Sequence, residues 1–184
     1  KFRGTTSPSD YSDMAIDDIL VSSSAVLNED FDSFYSGYTY CTSICNLENG
    51  WTNETGDNKD WCPISGSTPS SYTGPSSDHT GSGKYLYTES SSCYYMTALL
   101  KSPSFNLNGS STLSFWYHMY GYYMGSLYVY ISTDGGSSYN QIWSKSGDQG
   151  NSWQQAIIDL SSYSGSNCIL RFQGVTGSSS SSDM

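Results

Sequence analysis

Residues 112–120 read TLSFWYHMY, and apolar side chains occupy every second position among them. Successive side chains of an extended strand point to opposite faces, so this spacing places the apolar residues on one face. Those residues are Leu113, Phe115, Tyr117 and Met119. The pattern is typical of a strand with one face against a core, and it predicts a β-sheet protein.

The neighbouring segments repeat this pattern. In residues 126–132 the alternation places Leu127, Val129 and Ile131 inward and Tyr128 and Tyr130 outward. Further strands are predicted at residues 84–89, 139–145, 153–160 and 168–175, with a turn at residues 134–136. No segment has a helical period, which excludes parallel strands joined by crossover helices. The sequence therefore predicts an all-β fold, an antiparallel β-sandwich of jelly-roll type.

Composition narrows the possible partners. Charged residues make up 13% of the chain, the formal net charge is −10 and the sequence pI is about 4.2. Nucleic-acid binding requires clustered Lys and Arg, so a nucleic-acid partner is not expected. No apolar run approaches the roughly 20 residues of a membrane-spanning helix, so membrane insertion is not expected either.

The two ends of the chain resemble each other. Residues 1–14 read KFRGTTSPSDYSDM and residues 171–184 read RFQGVTGSSSSSDM, which align without a gap at an offset of 170. This similarity predicts one repeat of a tandem array. Residues 1–24 would then be the closing strand of a preceding module, or a strand donated to a neighbour. Residues 25–184 would be a module that lacks its own closing strand.

A sandwich without its closing strand exposes a sheet edge and core side chains. The gap can be filled by later residues of a longer protein, by this chain's own residues 15–22, or by those of a neighbouring copy. We expect a longer array or a head-to-tail polymer. The apolar residues of the donated segment are therefore predicted to form an interface: Met14, Ala15, Ile16, Ile19 and Val21.

Several motifs together resemble one known family, the MAM domains of meprin, A5 antigen and receptor phosphatase mu. The motifs are YTGPSSDHT at residues 72–80, GKYLY at 83–87, LSFWYHMYG at 113–121, WSKSGDQGNSW at 143–153 and DMAIDDI at 13–19. The resemblance implies an extracellular β-sandwich module used for adhesion, homophilic contact or oligomerisation, without catalytic activity. The chain departs from the family pattern at residues 29–32, which read EDFD where the family has a cysteine before its Phe-Glu pair.

Four cysteines lie in or beside Ser/Thr/Gly-rich segments, where loops are expected: Cys41, Cys45, Cys62 and Cys93. Disulfides in an oxidising, extracellular compartment are favoured over zinc, because no CxxC pair with matching histidines occurs. The preferred pairing is Cys41–Cys45 with Cys62–Cys93. The fifth cysteine, Cys168, lies in an apolar strand and is predicted to be a buried free thiol.

Five aspartates in the family-like motifs are candidate ligands of a structural Ca²⁺: Asp18, Asp32, Asp57, Asp60 and Asp78. Hard cations bind clustered carboxylate and carbonyl oxygens, and the first and last strands of a jelly roll usually lie close together. The alternative is that these residues cap turns and accept backbone hydrogen bonds, as Asp commonly does in loops. The sequence leaves the two possibilities equal.

Catalysis is not expected, and the chain is predicted to be non-enzymatic. Only His79 and His118 could act as a general base, and neither occurs in a recognisable catalytic motif. An aromatic surface patch of Trp116, Tyr128 and Tyr130 is predicted if their strands pair. It could stack on sugar rings or on a neighbouring module, or it could simply cover a weakly charged sandwich.

Two sequons, at Asn53 and Asn108, are candidate glycosylation sites in predicted loops. The leading functional hypothesis is a secreted or cell-surface adhesion module that assembles end to end into an array or filament, with neighbouring copies as partners. The alternative is a carbohydrate-binding module of a secreted or cell-surface protein, with glycans as partners.

Overall fold

A computed structural model describes residues 13–22, 27–37, 44–90 and 93–177 of the 184-residue chain. These residues form twelve β-strands and no helix. The strands are β1 (Met14–Ser22), β2 (Leu27–Glu29), β3 (Thr52–Asn53), β4 (Cys62–Ser65), β5 (Lys84–Thr88), β6 (Thr97–Lys101), β7 (Phe105–Asn108), β8 (Thr112–Met119), β9 (Ser126–Ser132), β10 (Asn140–Ser146), β11 (Gln154–Asp159) and β12 (Ser164–Val175).

The strands form two six-stranded sheets. Sheet A has the order β11-β8-β1-β5-β4, with β2 paired to β1, and sheet B has the order β10-β9-β12-β6-β3, with β7 paired to β12. All pairs between these strands are antiparallel. The predicted all-β antiparallel sandwich of jelly-roll type is confirmed.

The main core lies between the sheets, where the predicted alternation places it. The inward residues of β8 and β9 are buried, and Phe115 of β8 meets Phe172 of β12 edge to face, with ring centroids 5.2 Å apart. Trp51 and Phe31 extend this aromatic core, with centroids 5.5 Å apart. Aromatic side chains contribute most of the apolar area that stabilises such a core.

Strand β1 occupies the middle of sheet A in its own chain. It pairs with β5 on one side and β8 on the other, so that Ile16 lies opposite both Leu86 and Tyr117. The predicted division at residue 24 therefore does not separate two folded units here, because the position expected to be open is filled by the chain's own residues 14–22.

The predicted interface at β1 is consequently internal to the chain. Its residues have no exposed surface and pack in this chain's own sandwich: Met14, Ala15, Ile16, Ile19 and Val21. The tandem array itself stays a prediction. Residues 1–12 and 178–184, which carry most of the terminal similarity, lie outside the described residues.

A second, smaller apolar cluster covers the outer face of sheet A. It consists of buried residues from β1, β4 and β5 with Cys45 and Trp153 packed against them: Ala15, Cys62, Ile64, Tyr85 and Tyr87. Around β1, β4 and β5, sheet A is thus buried on both faces, whereas the outward Tyr128 and Tyr130 of sheet B remain partly exposed.

The preferred disulfide pairing is wrong. Cys45 is bonded to Cys62, with Cα atoms 5.4 Å apart, because the segment containing Cys45 packs over β4 and the Asp60 carboxylate accepts a 2.8 Å hydrogen bond from the Cys45 amide. Cys93 is also disulfide-bonded, while Cys41 lies outside the described residues. Cys168 is a buried free thiol, as predicted.

The predicted patch of Trp116, Tyr128 and Tyr130 does not form. Trp116 belongs to β8 in sheet A, and the two tyrosines belong to β9 in sheet B. Consecutive strands β8 and β9 lie in different sheets, so their outward residues are on opposite sides of the molecule. This crossing from one sheet to the other cannot be derived from alternation within either strand.

Candidate functional site

A break in β1 brings two neighbouring acidic side chains to the same side of sheet A. The pairing of β1 with β8 shifts register between Asp17 and Leu20, and Asp18 has a positive φ of 43°. Adjacent strand residues normally point to opposite faces, but a bulge redirects one of them, and Asp tolerates the left-handed region better than most residues. Both Asp17 and Asp18 therefore reach the loop before β5.

His79 is held between these two carboxylates. Its Nδ1 lies 3.1 Å from Asp17 Oδ2, which also accepts the His79 backbone N–H at 3.2 Å, and its Nε2 lies 3.4 Å from Asp18 Oδ2. The imidazole ring stacks on Trp116 of β8, with centroids 4.7 Å apart and planes at 17°. His79 thus fastens the DHT loop to β1 and β8.

Asp32 and Asp78 converge on Gly83 from opposite directions. A side chain at Gly83 would place its Cβ 2.2 Å from Asp32 Oδ1 and 2.9 Å from Asp78 Oδ2. Asp32 Oδ1 also accepts the Lys84 N–H at 2.7 Å. Asp78 Oδ2 accepts bonds from the Thr80 hydroxyl and from the Thr80 N–H, the latter at 3.0 Å. Only glycine at position 83 leaves room for both carboxylates.

The carboxylates around Asp18 outnumber the basic groups beside them, which are His79 and the Lys84 ammonium that donates to the Asp32 carbonyl at 2.7 Å. Burial raises the pKa of Asp18, and the neighbouring carboxylates Asp30, Asp32 and Asp78 raise it further, against the opposing effect of His79. Burial likewise raises the pKa of Asp17 to about 7. Like charges held close together disfavour ionisation, and a bound cation would remove that cost.

Asp78 provides an oxygen with no partner. Burial opposes its ionisation, but the hydrogen bonds from Thr80 and the backbone near Gly81 and Gly83 outweigh burial and hold the pKa of Asp78 below its ordinary value. The residue is 4% exposed, and its Oδ1 is buried without a hydrogen bond. A buried, ionised carboxylate oxygen without a donor is costly, and a metal ion would satisfy it.

Among the described residues, the one set of three metal-ligating atoms that lie within 4.8 Å of one another belongs to Asp17, Asp18 and His79. Asp18, Asp32 and Asp78 lie further apart, but they interact electrostatically and provide oxygens of the kind that Ca²⁺ prefers. We call these three residues the acidic cluster. Asp17 and His79, which orient it, were not among the predicted ligands. The adjacent aspartates of DDI and the histidine of DHT were the available sequence signal, but only the bulge in β1 brings them together.

Asp57 and Asp60 lie elsewhere, and the structure does not join them to the acidic cluster. Asp57 Oδ2 accepts the Leu99 N–H of β6 at 2.6 Å, and Asp60 Oδ2 accepts the Cys45 N–H. Both line an open cavity of about 510 Å³ beside β3, with Trp51 and Leu47. Of the five predicted ligands, three are brought together, and these two accept backbone hydrogen bonds, as the alternative interpretation expected.

His118 is buried on the outer face of sheet A beneath the loop before β11. It is 2% exposed, its Nε2 lies 3.2 Å from Asn151 Oδ1, and its ring meets Trp153 with centroids 5.7 Å apart. Burial lowers the pKa of His118 to about 4, so the ring is neutral at physiological pH. Covered in this way, His118 is not placed to exchange protons with a substrate.

The outer face of sheet B carries a different group of residues. Tyr130 lies opposite Arg171 and Tyr128 opposite Gln173 on the paired strands β9 and β12. The Arg171 guanidinium lies 3.6 Å from the ring centroid of Tyr139, and its Nε lies 2.5 Å from Glu54 Oε2. We call Tyr128, Tyr130, Arg171 and Gln173 the tyrosine face.

The two sequons differ in the state of their asparagine side chains. Asn53 donates its Nδ2 hydrogens to the Cys45 carbonyl at 2.9 Å and the Trp61 carbonyl at 3.0 Å, and its Oδ1 accepts the Trp61 N–H. A glycan on Nδ2 would replace one of these hydrogens. Asn108 is exposed at the end of β7.

The fold and the site together define a β-sandwich module with a disulfide and a partly buried acidic cluster. The chain matches the family described as MAM domain, meprin/A5/mu, over residues 40–184. This is more than half of its length, and the chain belongs to the MAM domain family.

Three relatives illustrate the match. MAM domain-containing protein 2 of Homo sapiens is 40% identical over 114 residues, covering 60% of this chain and 17% of that protein. MAM domain-containing glycosylphosphatidylinositol anchor protein 2 of Mus musculus is 34% identical over 155 residues, covering 72% and 16%. Neuropilin-1a of Danio rerio is 40% identical over 127 residues, covering 66% and 13%. The chain therefore spans less than a fifth of the length of these relatives.

Membership places the chain among modules of the extracellular adhesion type, which are generally non-enzymatic. Among the described residues there is no helix that could cross a membrane.

Proposed function

We propose that this chain is a non-enzymatic adhesion module of a secreted or cell-surface protein, and that it binds a structural Ca²⁺ at the acidic cluster. The observation that carries the adhesive function is the family match over residues 40–184. The name of the mouse relative, which specifies a glycosylphosphatidylinositol anchor, is consistent with a cell-surface setting. The disulfide Cys45–Cys62 supports an oxidising compartment.

The proposed cation would act on the fold rather than in a reaction. Asp18 belongs to β1, Asp32 follows β2, and Asp78 lies in the loop before β5. An ion bound to all three would tie the central strand of sheet A to two loops that otherwise meet mainly through hydrogen bonds. The unpartnered Asp78 Oδ1 and the mutual repulsion around Asp18 support this proposal.

End-to-end assembly is the finer part of the proposal and rests on the terminal similarity alone. Because β1 already completes its own sheet, an assembly would form through surface contacts or through exchange of β1 between copies. Sedimentation velocity of the purified chain distinguishes these from a monomer. A single monomeric species across the accessible concentration range would remove assembly from the proposal.

Adhesion is tested with beads that carry the folded chain in Ca²⁺ buffer, added to cultured human cells and to each other. Beads that carry the reduced and alkylated chain provide the matched control. We expect the folded chain to give more cell binding or more bead aggregation than the control. Equal values in both formats would contradict an adhesive function.

A carbohydrate-binding module is the second candidate. The tyrosine face favours it, since exposed aromatic rings beside planar polar groups are the chemistry of sugar recognition. The two candidates are compatible, because an adhesion module can act by binding a cell-surface glycan.

A further inference from the structure

Three side chains of the tyrosine face have polar groups that make no hydrogen bond to the described residues. Within the described part of the chain, the Gln173 amide and the hydroxyls of Tyr128 and Tyr130 make no hydrogen bond to protein. These groups together provide both donors and acceptors. They are half-buried and point away from the core, so they are available to a ligand without any rearrangement of the sheet.

The face is also held rigidly. Tyr128 and Tyr130 are neighbours on one strand, with ring centroids 6.3 Å apart and planes at 32°. Arg171 is fixed between the Tyr139 ring and the Glu54 carboxylate. Sites built on central strands keep their geometry better than sites on loops, and a preorganised site loses less entropy on binding.

Charge restricts the kind of ligand. The guanidinium of Arg171 is paired with Glu54, and Lys101 of β6 lies opposite Arg171, so the centre of the face is not acidic although the chain as a whole is. The whole chain has a formal net charge of −10, which disfavours anionic glycans. A neutral ligand is unaffected by that field. Aromatic rings next to unpaired amide and hydroxyl groups match a neutral, hydroxyl-rich molecule with apolar ring faces.

We propose that the tyrosine face binds a neutral oligosaccharide, with Tyr128 and Tyr130 stacking on sugar rings and Gln173 hydrogen-bonding to sugar hydroxyls. This inference rests on the proposed function in one respect, that the module meets its ligand outside the cell. It adds the chemical class of that ligand and the surface that holds it.

The test uses a printed glycan array, followed by calorimetric titration with the neutral oligosaccharide that gives the strongest array signal. We expect Tyr128→Thr and Tyr130→Thr each to weaken binding about tenfold, on the scale of one lost aromatic stacking contact. Threonine is a good strand residue, so the sheet should be retained. Tyr130→Phe, which keeps the ring, should bind within about threefold of the wild type.

Tyr122 provides the matched control. It is an 87% exposed tyrosine in the turn between β8 and β9 and belongs to neither strand of the tyrosine face, so Tyr122→Ala should leave binding unchanged. Melting temperatures of all variants check that the fold is intact. The affinity of the wild type should also change little between roughly 50 mM and 500 mM NaCl, since no net charge is neutralised.

Several results would overturn the inference. They are the absence of any neutral glycan on the array, binding that survives both Thr substitutions, or binding only to anionic glycans with a steep salt dependence. Loss of self-association in the Thr variants without glycan binding would instead identify a protein interface. Bead adhesion without glycan binding would remove this inference alone, and glycan binding without bead adhesion would remove only the adhesive function.

Discussion

The outer faces of the two sheets differ in whether their polar side chains are buried or exposed. The outer face of sheet A lies beneath loops, a disulfide and Trp153, so that Asp17, Asp78 and His118 are buried there. The outer face of sheet B leaves Tyr128 and Gln173 partly exposed and without protein partners in the described residues. Buried polar groups must be satisfied at a cost in stability, whereas exposed ones are satisfied by water. We therefore propose that ions and protons affect the fold through sheet A and that a ligand binds on sheet B.

Of the changes considered, removal of Ca²⁺ from the acidic cluster of sheet A should lower the stability of the fold most. An ion present at about 100 times its Kd stabilises the folded state by about 2.7 kcal/mol, equivalent to roughly 5–10 °C in a domain of this size. We expect excess EDTA to lower the melting temperature by that amount, as measured by differential scanning calorimetry. In Asp78→Asn the drop should disappear, while Asp57→Asn should keep it. An equal response in both variants would remove the distinction between the two sets of aspartates.

Gly83→Ala should abolish most of the stabilisation of the folded state by Ca²⁺, about 2 kcal/mol. The new Cβ would displace the Asp32 carboxylate from its place beside Asp78. Gly81→Ala is the control, because Gly81 has a φ of 98° but no atom within 4 Å of an added Cβ. That variant should be strained yet still respond to Ca²⁺. Retention of the full response in Gly83→Ala would mean that Asp32 is not a ligand.

The burial of His118 on sheet A predicts that the folding free energy depends on pH. Its pKa is about 4 in the folded protein and about 6.5 when unfolded, so between these values the unfolded state binds more protons. Acidification from about pH 7 to pH 5 should therefore cost roughly 2 kcal/mol of folding free energy through this residue. Asp17, with its raised pKa, acts in the opposite direction over the same range.

The contribution of His118 is isolated by comparing urea unfolding of the wild type and His118→Gln at several pH values. The variant should lose about 2 kcal/mol less than the wild type over this range. Parallel pH profiles would show that His118 is accessible to protons in the folded protein.

Substitution on sheet B should have the smallest effect on stability. Glu54→Gln removes the ion pair with Arg171, but both side chains are partly exposed and Tyr139 still covers the guanidinium. We expect a loss of about 1 kcal/mol or less in urea unfolding, with the Ca²⁺ response unchanged. A loss of several kcal/mol would show that this ion pair supports the fold as strongly as the buried groups of sheet A.

The sequence predicted local features well and long-range ones poorly. Residues 112–119 and 126–132 were predicted as strands with the correct inward faces, because alternation reports which side of a strand is buried. Strands β6 and β7 and the first residues of β12 were not predicted, since these segments are too short for their pattern to stand out from the surrounding loops. The place of β1 in its own sheet and the Cys45–Cys62 pairing both depend on contacts between distant residues.

The acidic cluster was predicted residue by residue but not as a set. Asp18, Asp32 and Asp78 were proposed together with Asp57 and Asp60, because all five occur in family-like motifs. Asp57 and Asp60 are separated from the other three because their loop lies beside β3 at the edge of sheet B, whereas the segments that carry Asp32 and Asp78 pack on sheet A. The orientation of Asp17 and Asp18 toward one loop depends on the bulge in β1, which the amino-acid sequence does not reveal.

Terbium luminescence tests the acidic cluster most directly. Tb³⁺ binds oxygen-rich Ca²⁺ sites, and Trp116, which stacks on His79 beside Asp18, would act as the energy donor when tryptophan is excited. The structure predicts sensitised emission that saturates at one ion per chain, that Ca²⁺ displaces, and that is absent in Asp78→Asn but retained in Asp57→Asn. Emission that survives in Asp78→Asn, or no emission from the wild type, would contradict a cation at this site.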